Sequence, residues 1–323
     1  MALGYFLAYV PYAALTKGVT DGRIPGVEHL PGAVLLPISN IASMVGMMAF
    51  ITGARWWRHA GRRRVLGMEL PVPGPYTFVS GLGTATVIVT TTLAYTFHGV
   101  SIVFMMLLLR GGVLVLAPLV DALSGRAVRW FSWMALGLSL GSLVVAFSGH
   151  GEAKLSLVAG IDVTAYLLAY FVRLRFMSRI AKSNDPDASR RYFVEEQMVA
   201  TPAVVVSLIV LSAIGPEPLR GHLRHGFTAL GGVWTWITAV VIGLCSQGTG
   251  IFGGLVLLDK RENSFCVPVN RASSMLAGLG ATLVLTVIWH GAAPDPREFL
   301  AASMVIGAIV VLSLAPRFTR AKA

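Results

Sequence analysis

Two arginines lie inside long apolar stretches of the sequence. Arg110 sits in the middle of the run 101–118, and Arg271, which follows Asn270, precedes the run 272–289. A guanidinium keeps its charge in proteins and is costly within a hydrocarbon layer, so such an arginine usually faces a cavity or a partner and marks a function. The two arginines, with Asn270 beside one of them, predict a site that holds a negatively charged group.

Polar side chains in other apolar stretches are candidates for the rest of this site. Thr84 and Thr91 lie about two helical turns apart and therefore share one face of a helix. Asn40 and Gln247 each place a hydrogen-bonding amide in apolar surroundings. Small and hydroxyl-bearing residues are also common where membrane helices pack. Helix packing is therefore an open alternative for these four residues.

Tyrosines recur at helical spacing in two of the apolar segments. Tyr5, Tyr9 and Tyr12 lie in the first segment, and Tyr166 and Tyr170 lie in the sixth. This spacing predicts a tyrosine-lined cavity, with Tyr9 and Tyr166 as its best candidates. Anchoring at the membrane–water interface suits Tyr5 and Tyr12 better.

Acidic residues in two of the apolar segments also have candidate roles. Asp162 lies about a third of the way into the segment 155–177, where a carboxylate either pairs with an arginine or carries a coupled proton. Pairing would leave less positive charge for an anion. Glu195 and Glu196 are placed at the start of the segment 194–214, where the helix dipole stabilises negative charge. We expect these two glutamates to be structural.

The composition predicts an all-α integral membrane protein. Of the 323 residues, 55% are hydrophobic and 13% are charged, with a mean hydropathy of +0.72. A soluble protein of this length carries far more charge. The net charge of +11 comes from basic residues between the apolar segments, which predicts contact with anionic lipid headgroups and no nucleic-acid partner. The 2 cysteines and the histidines show no metal-ligand spacing, so we expect no metal or other cofactor.

Ten apolar segments are each near the ~20 residues needed to cross a bilayer. The predicted spans are 2–18, 32–54, 76–97, 101–123, 131–149, 155–177, 194–214, 233–257, 266–289 and 299–316. They are too long and too uniformly apolar for the strands of a membrane barrel. The first lacks a basic region and a small-residue cleavage site, so it is interpreted as a retained helix.

The distribution of lysine and arginine predicts the orientation. With a cytoplasmic N-terminus, the cytoplasmic segments hold most of the 26 basic residues, as the positive-inside rule requires. Both termini are then cytoplasmic, in a multi-pass protein of the bacterial inner membrane.

The ten spans divide into two halves, 1–150 and 151–323. Five spans per half give the halves opposite orientations, as in the inverted repeats of transporters. The glycine-containing segments 81–84 and 243–246 precede Arg110 and Arg271 by nearly the same distance. Both arginines then approach the membrane centre from opposite faces, Arg110 at roughly 14 Å from its helix start. The sequence therefore predicts a five-plus-five inverted repeat in one structural unit.

This arrangement, with short connections and cytoplasmic termini, resembles the drug/metabolite transporter (DMT) superfamily and its EamA-like and triose-phosphate-transporter-like carriers. The segment 118–126, followed by 130–145, is similar to the junction of helices 4 and 5 in that superfamily. The resemblance covers essentially the whole chain. It implies a ten-helix carrier. In the organic-phosphate branch, basic residues on helices 4 and 9 hold the phosphate, and Arg110 and Arg271 occupy the matching helices here.

The resulting expectation is a secondary transporter, not an enzyme, that moves a small anionic or zwitterionic metabolite, with an organic phosphate among the options. Because the sequence has no Walker-type motif, exchange or an ion gradient would drive it. Two alternatives stay open: a flippase for a lipid or lipid-linked phosphate, and an intramembrane lipid-modifying enzyme. The expected partners are the anionic substrate and the bilayer, with the protein a monomer or homodimer.

Overall fold

The structure is a computed structural model that describes residues 1–65, 68–94, 102–147, 157–290 and 296–320. Within these residues the chain forms eleven α-helices: α1 (Ala2–Thr20), α2 (Gly32–Gly53), α3 (Pro75–Ala94), α4 (Ile102–Leu123), α5 (Trp130–Phe147), α6 (Leu157–Phe176), α7 (Ala188–Ile214), α8 (Leu219–Thr228), α9 (Val233–Leu257), α10 (Asn263–Trp289) and α11 (Pro296–Arg320). A 3-10 turn (Trp56–His59) and a π turn (Met177–Ala181) follow α2 and α6. A small antiparallel hairpin, β1 (Arg62–Val65) and β2 (Met68–Pro71), pairs Arg62 with Pro71.

Each predicted span overlaps one helix over the residues that the structure describes, and residues 95–97, 101, 148–149 and 155–156 of the predicted spans lie outside those residues. The largest difference lies at the start of α7, and α11 is longer than predicted at both ends. The helix α7 begins at Ala188 rather than at residue 194, and α10 begins at Asn263 rather than at residue 266. Polar residues open both helices, exposed at Arg190 and Arg191 of α7 and buried at Asn263 and Ser264 of α10, so hydropathy alone places the two starts too late. The short helix α8 and the hairpin were not predicted.

Several of the helices have the length and composition of membrane-spanning segments. Four of them, α2, α7, α9 and α10, are long and apolar enough to cross a membrane. Large apolar side chains also face outward around the bundle, among them Leu7, Leu119, Trp133, Leu168, Ile209 and Leu244. A soluble monomer rarely exposes so much apolar surface. This supports the predicted class of all-α membrane protein.

Helices from the two parts of the chain pack against each other throughout the bundle. The helix α1 packs on α9 and α10, while α6 packs on α3 and α4. The helix α2 packs on α7 and α9, and α3 packs on α7. The pairs α4–α10 and α5–α11 are also in contact. The core is therefore built between the first five helices and the later ones.

The connections that the structure describes lie at two ends of the bundle. At one end, Arg126 after α4 donates a hydrogen bond to the carbonyl oxygen of Lys260 after α9 (3.2 Å). At the opposite end, Arg23 after α1 donates to the carbonyl oxygen of His290 after α10 (3.4 Å). We call the first the Asp121 end, after the buried acidic residue in the last turn of α4.

Two glycines permit close helix contacts. A Cβ atom on Gly243 of α9 would overlap the carbonyl oxygen of Ser39 on α2 and lie 2.8 Å from the Ala42 Cβ. On Gly81 of α3, a Cβ atom would lie 2.6 Å from the Val199 Cβ on α7. Backbone atoms cannot yield locally as a flexible side chain does, so both contacts require glycine.

Substituting alanine for Gly243 should lower stability by about 1–3 kcal/mol, because the added methyl group forces α9 away from α2. The shift is measured as the change in unfolding free energy in detergent micelles. The matched control is Gly137→Ala on α5, where a Cβ meets no atom within 4 Å. That variant should be neutral or slightly stabilising. Equal effects at the two positions would contradict the close α2–α9 contact.

Candidate anion-binding site

Arg110 projects from the middle of α4 toward α1. Its Nη2 donates a long hydrogen bond to the Tyr9 hydroxyl (3.4 Å). Tyr9 itself is flanked by Tyr5 and Tyr12, with ring centroids 5.6 Å apart in each pair. The first helix therefore presents a row of aromatic hydroxyls to this arginine.

Arg271 projects from α10 toward α6 in the same manner. Its Nη2 donates to the Tyr170 hydroxyl (2.7 Å), and its guanidinium carbon lies 5.2 Å from the centroid of the Tyr170 ring. Tyr166 stacks obliquely on Tyr170 at 5.1 Å. The Nε of Arg271 is buried and has no partner among the described residues. This arginine thus keeps one donor free within the bundle.

These two pairs form one cluster rather than two separate sites. Both guanidinium groups lie within electrostatic range of the Tyr5 hydroxyl and of the Tyr166 hydroxyl. The members of this arginine–tyrosine cluster are Tyr5, Tyr9, Arg110, Tyr166, Tyr170 and Arg271. Tyr5, Tyr166 and Tyr170 are buried, and the arginines are partly buried.

The cluster contains two cationic side chains and no acidic one. Within the described residues, no carboxylate forms an ion pair with Arg110 or Arg271. Asp162, one turn before Tyr166 on α6, is buried, and its Oδ2 finds no hydrogen-bond partner among these residues. Among the described residues, Asp162 forms no ion pair with an arginine, which was one of the two roles considered for it. Two positive charges therefore remain available to an anion.

The two arginine–tyrosine pairs also have the same spacing along the chain. Tyr9 precedes Arg110 by 101 residues, and Tyr170 precedes Arg271 by 101 residues. Arg271 follows Arg110 by the same number of residues as Tyr166 follows Tyr5. The same number of residues separates the first residue of α4 from the first residue of α10.

The remaining candidate polar residues form hydrogen bonds within or between helices. Asn40 and Thr91 bond to carbonyl oxygens within their own helices, at 2.9 and 2.7 Å. Gln247 of α9 accepts a hydrogen bond from Ser43 of α2 (2.8 Å). Asn270 donates to the carbonyl oxygen of Gly253, linking α10 to α9 (3.3 Å). The structure gives these four side chains partners inside the protein.

Thr84 belongs to a different buried group, near the Asp121 end. It donates to Oε1 of Glu196 (2.9 Å), which also accepts from Ser80 (3.0 Å). Arg173 of α6 completes the group with two hydrogen bonds to the Glu196 carboxylate, at 2.8 and 3.2 Å. The expectation for Glu196 is corrected here, since α7 begins at Ala188 and the carboxylate is buried within the helix rather than at its N-terminus.

Glu195 holds the hairpin to the helical bundle. Its two carboxylate oxygens accept hydrogen bonds from the backbone N–H groups of Gly61 and Gly74, both at 2.9 Å. The Thr77 hydroxyl donates to it as well (2.6 Å). The glutamate is structural, as expected, through these contacts and not through a helix dipole.

Two members of the cluster, Tyr5 and Tyr170, were not among the best candidates from the sequence. Tyr170 contacts Arg271 directly, and Tyr5, for which interfacial anchoring was favoured, is buried within electrostatic range of both arginines. The sequence does contain a signal for both, because Tyr166 follows Tyr5, and Tyr170 follows Tyr9, by the same number of residues as Arg271 follows Arg110.

Comparison with known proteins adds information on the fold alone. No protein-family model matches this sequence, and no curated protein matches it. A solved structure described as "Crystal structure of protein" is similar to this one with a TM-score of 0.61 and 13% sequence identity. The similarity covers 98% of this chain and 98% of that chain. The helical arrangement is therefore shared along nearly the whole length.

Proposed function

We propose that the protein is a secondary transporter that moves a small organic anion or zwitterion across a membrane by alternating access. The observation that carries this proposal is a pair of arginines, within an apolar helical bundle, that form no ion pair with any of the described residues. Burying a permanent charge without a counter-ion is unfavourable. An anionic group of the substrate supplies that counter-ion when it binds between Arg110 and Arg271.

The architecture that accompanies this function is a set of ten spans in two inverted repeats, residues 1–150 and 151–323, with α8 outside the set. Helix packing supports it. In this arrangement α1, α3 and α4 correspond to α6, α9 and α10. The contact of α1 with α9 then corresponds to that of α6 with α3, and the contact of α1 with α10 corresponds to that of α6 with α4. Each arginine lies about 8 residues, or roughly 12 Å, after the start of its helix. In a hydrocarbon core of about 30 Å, both then lie near the midplane.

The Asp121 end is the cytoplasmic end in this proposal. It carries Arg126, Lys182, Lys260, Arg261 and the arginine-rich hairpin, whereas fewer basic residues lie at the opposite end. This distribution follows the positive-inside rule. Both termini are then cytoplasmic, as in a bacterial inner-membrane carrier of the DMT type.

The chemistry of the cluster suits phosphate or carboxylate groups. A guanidinium binds either group through two parallel hydrogen bonds, and Arg271 keeps its Nε donor free for one of them. The tyrosine hydroxyls hold the guanidinium groups in place and can themselves donate to a bound oxygen. The aromatic rings accommodate the carbon skeleton of an organic anion.

A thermal-shift screen tests this proposal. Purified protein is heated with inorganic phosphate, a sugar phosphate, a dicarboxylate, an amino acid and a quaternary amine in turn. At 100 times its Kd a ligand stabilises by about 2.7 kcal/mol, so a bound anion should raise Tm by a few degrees. Arg110→Gln and Arg271→Gln should abolish the shift. Stabilisation by the amine, with none by any anion, would contradict an anion site.

A second candidate function is a flippase for an anionic lipid headgroup. It is favoured by a groove of about 790 Å³ between α2 and α7, lined by apolar residues that include Met44, Met48, Trp57, Met198 and Pro202. Such a groove can receive an acyl chain while the headgroup reaches the arginines. Scrambling of a fluorescent anionic lipid in proteoliposomes, lost in Arg271→Gln, would favour the flippase over a carrier of soluble metabolites.

A further inference from the structure

Asp121, in the last turn of α4, binds the first turn of α10. Its Oδ1 accepts hydrogen bonds from the backbone N–H (2.9 Å) and the Nδ2 (2.8 Å) of Asn263. Its Oδ2 accepts from the backbone N–H (2.7 Å) and the hydroxyl (2.6 Å) of Ser264. All three residues are almost completely buried. The carboxylate thus satisfies N–H groups at the positive end of α10, where a negative charge is most stabilising.

Neighbouring contacts close the same end of the bundle. The Arg126 guanidinium donates to the carbonyl oxygens of Lys260 (3.2 Å) and Lys182 (3.1 Å). The Lys182 ammonium donates to the carbonyl oxygen of Arg261 (2.7 Å). Burial alone would raise the pKa of Asp259, but the hydrogen bonds from Arg261 outweigh it and hold that pKa below its usual value. The loop between α9 and α10 is therefore fixed by charge-assisted hydrogen bonds.

The opposite end is built differently. Thr282 follows Asp121 by the same number of residues as Arg271 follows Arg110. Thr282 is neutral, and its hydroxyl donates a hydrogen bond within its own helix (3.2 Å). Thr282 lines a groove of about 390 Å³ between α1 and α10, together with Lys17 and Arg23. In the described part of the chain, the acidic tie between α4 and α10 thus has no counterpart at this end.

We propose that Asp121 is the positioning residue of a latch, formed with Asn263 and Ser264, that sets the distance between the two arginine helices. The latch rests on the proposed function: it is closed in this structure and opens when the arginine–tyrosine cluster faces the Asp121 end. Because α4 carries Arg110 and α10 carries Arg271, release of Asp121 separates the two guanidinium groups along with the helix ends.

The chain carries its own reporter for this movement. Cys266, one turn into α10, is 1% exposed, and its Sγ accepts a hydrogen bond from the Lys182 ammonium (3.5 Å). Cys245, the second of the 2 cysteines, lies on α9 and is half-buried. Opening of the latch exposes Cys266 and leaves Cys245 unchanged, whereas general unfolding exposes both.

The test measures alkylation by N-ethylmaleimide in detergent, with Cys266 reported in a Cys245→Ser background and Cys245 in a Cys266→Ser background. Asp121→Asn removes the charge that accepts the four hydrogen bonds. Since a hydrogen bond to a charged group contributes about 1.5–3 kcal/mol, Cys266 should react about 10- to 100-fold faster. The rate at Cys245 should not change. Asp187→Asn, which neutralises an exposed carboxylate at the same end, is the matched control.

Each outcome decides the matter. Faster reaction at Cys266 alone supports the latch. An unchanged rate at Cys266 overturns it, and equal acceleration at both cysteines overturns it in favour of a purely structural role for Asp121. If no anion stabilises the protein in the thermal-shift screen but Cys266 is still labelled selectively, the transport proposal fails and the movement of α10 stands. The failure of one proposal can therefore be distinguished from the failure of the other.

Discussion

Uptake of the anion identified by the thermal-shift screen should fall by about 30-fold or more when Arg271 is replaced by glutamine. Arg110→Gln should have a comparable effect. Removal of one partner from a buried, hydrogen-bonded charge pair costs about 2–5 kcal/mol, and each ~1.4 kcal/mol is a factor of ten. The measurement is the initial rate of uptake into proteoliposomes that contain equal amounts of folded protein.

Three further variants separate charge from geometry. Arg271→Lys keeps the charge but loses the two-pronged hydrogen bonding, so it should recover only part of the activity. Tyr170→Phe removes the hydroxyl that holds Arg271 at 2.7 Å, and a smaller loss of about 2- to 10-fold is expected. Arg175→Gln, the control, removes a charge that bonds Ser124 near the Asp121 end (2.8 Å), and should transport normally. Wild-type uptake in both Arg110→Gln and Arg271→Gln would exclude the assigned site.

The variant Arg173→Ala should lose about 3–5 kcal/mol of stability. Arg173 and Glu196 form an ion pair through two hydrogen bonds, with side chains that are 8% and 1% exposed. Without the guanidinium, the Glu196 carboxylate stays buried with only neutral donors, which is the costly way to break such a pair. The loss is measured as the shift of the unfolding midpoint in mixed micelles.

A paired substitution tests whether the cost comes from the orphaned charge. Arg173→Met combined with Glu196→Leu removes both charges and should be markedly more stable than Arg173→Ala. Arg190→Ala, which breaks an exposed pair with Asp187 (3.2 Å), should change stability by less than about 1 kcal/mol. If Arg173→Ala were as mild as Arg190→Ala, the buried pair would contribute little to the fold.

Long helices were predictable because their signal is local. A run of about 20 apolar residues predicts a long helix wherever it lies, and each of the ten predicted segments overlaps a helix in the described part of the chain. The helix α8 and the hairpin escaped prediction because they are short and depend on what they touch. Leu219 and Leu223 of α8 are buried against the bundle, and the hairpin is tied down by Glu195 of α7.

The sequence by itself predicted that Arg110 and Arg271 mark a site, since a guanidinium inside a long apolar segment can be recognised from its own neighbours in the chain. Only the tertiary structure decided which tyrosines meet them, that Asp162 forms no ion pair with either, and that Glu196 takes Arg173 instead. These facts depend on the rotation of each helix about its axis and on the helix beside it. The two arginine–tyrosine contacts join residues that are 101 positions apart, and Arg173 and Glu196 are 23 positions apart on different helices, so no local pattern encodes these contacts.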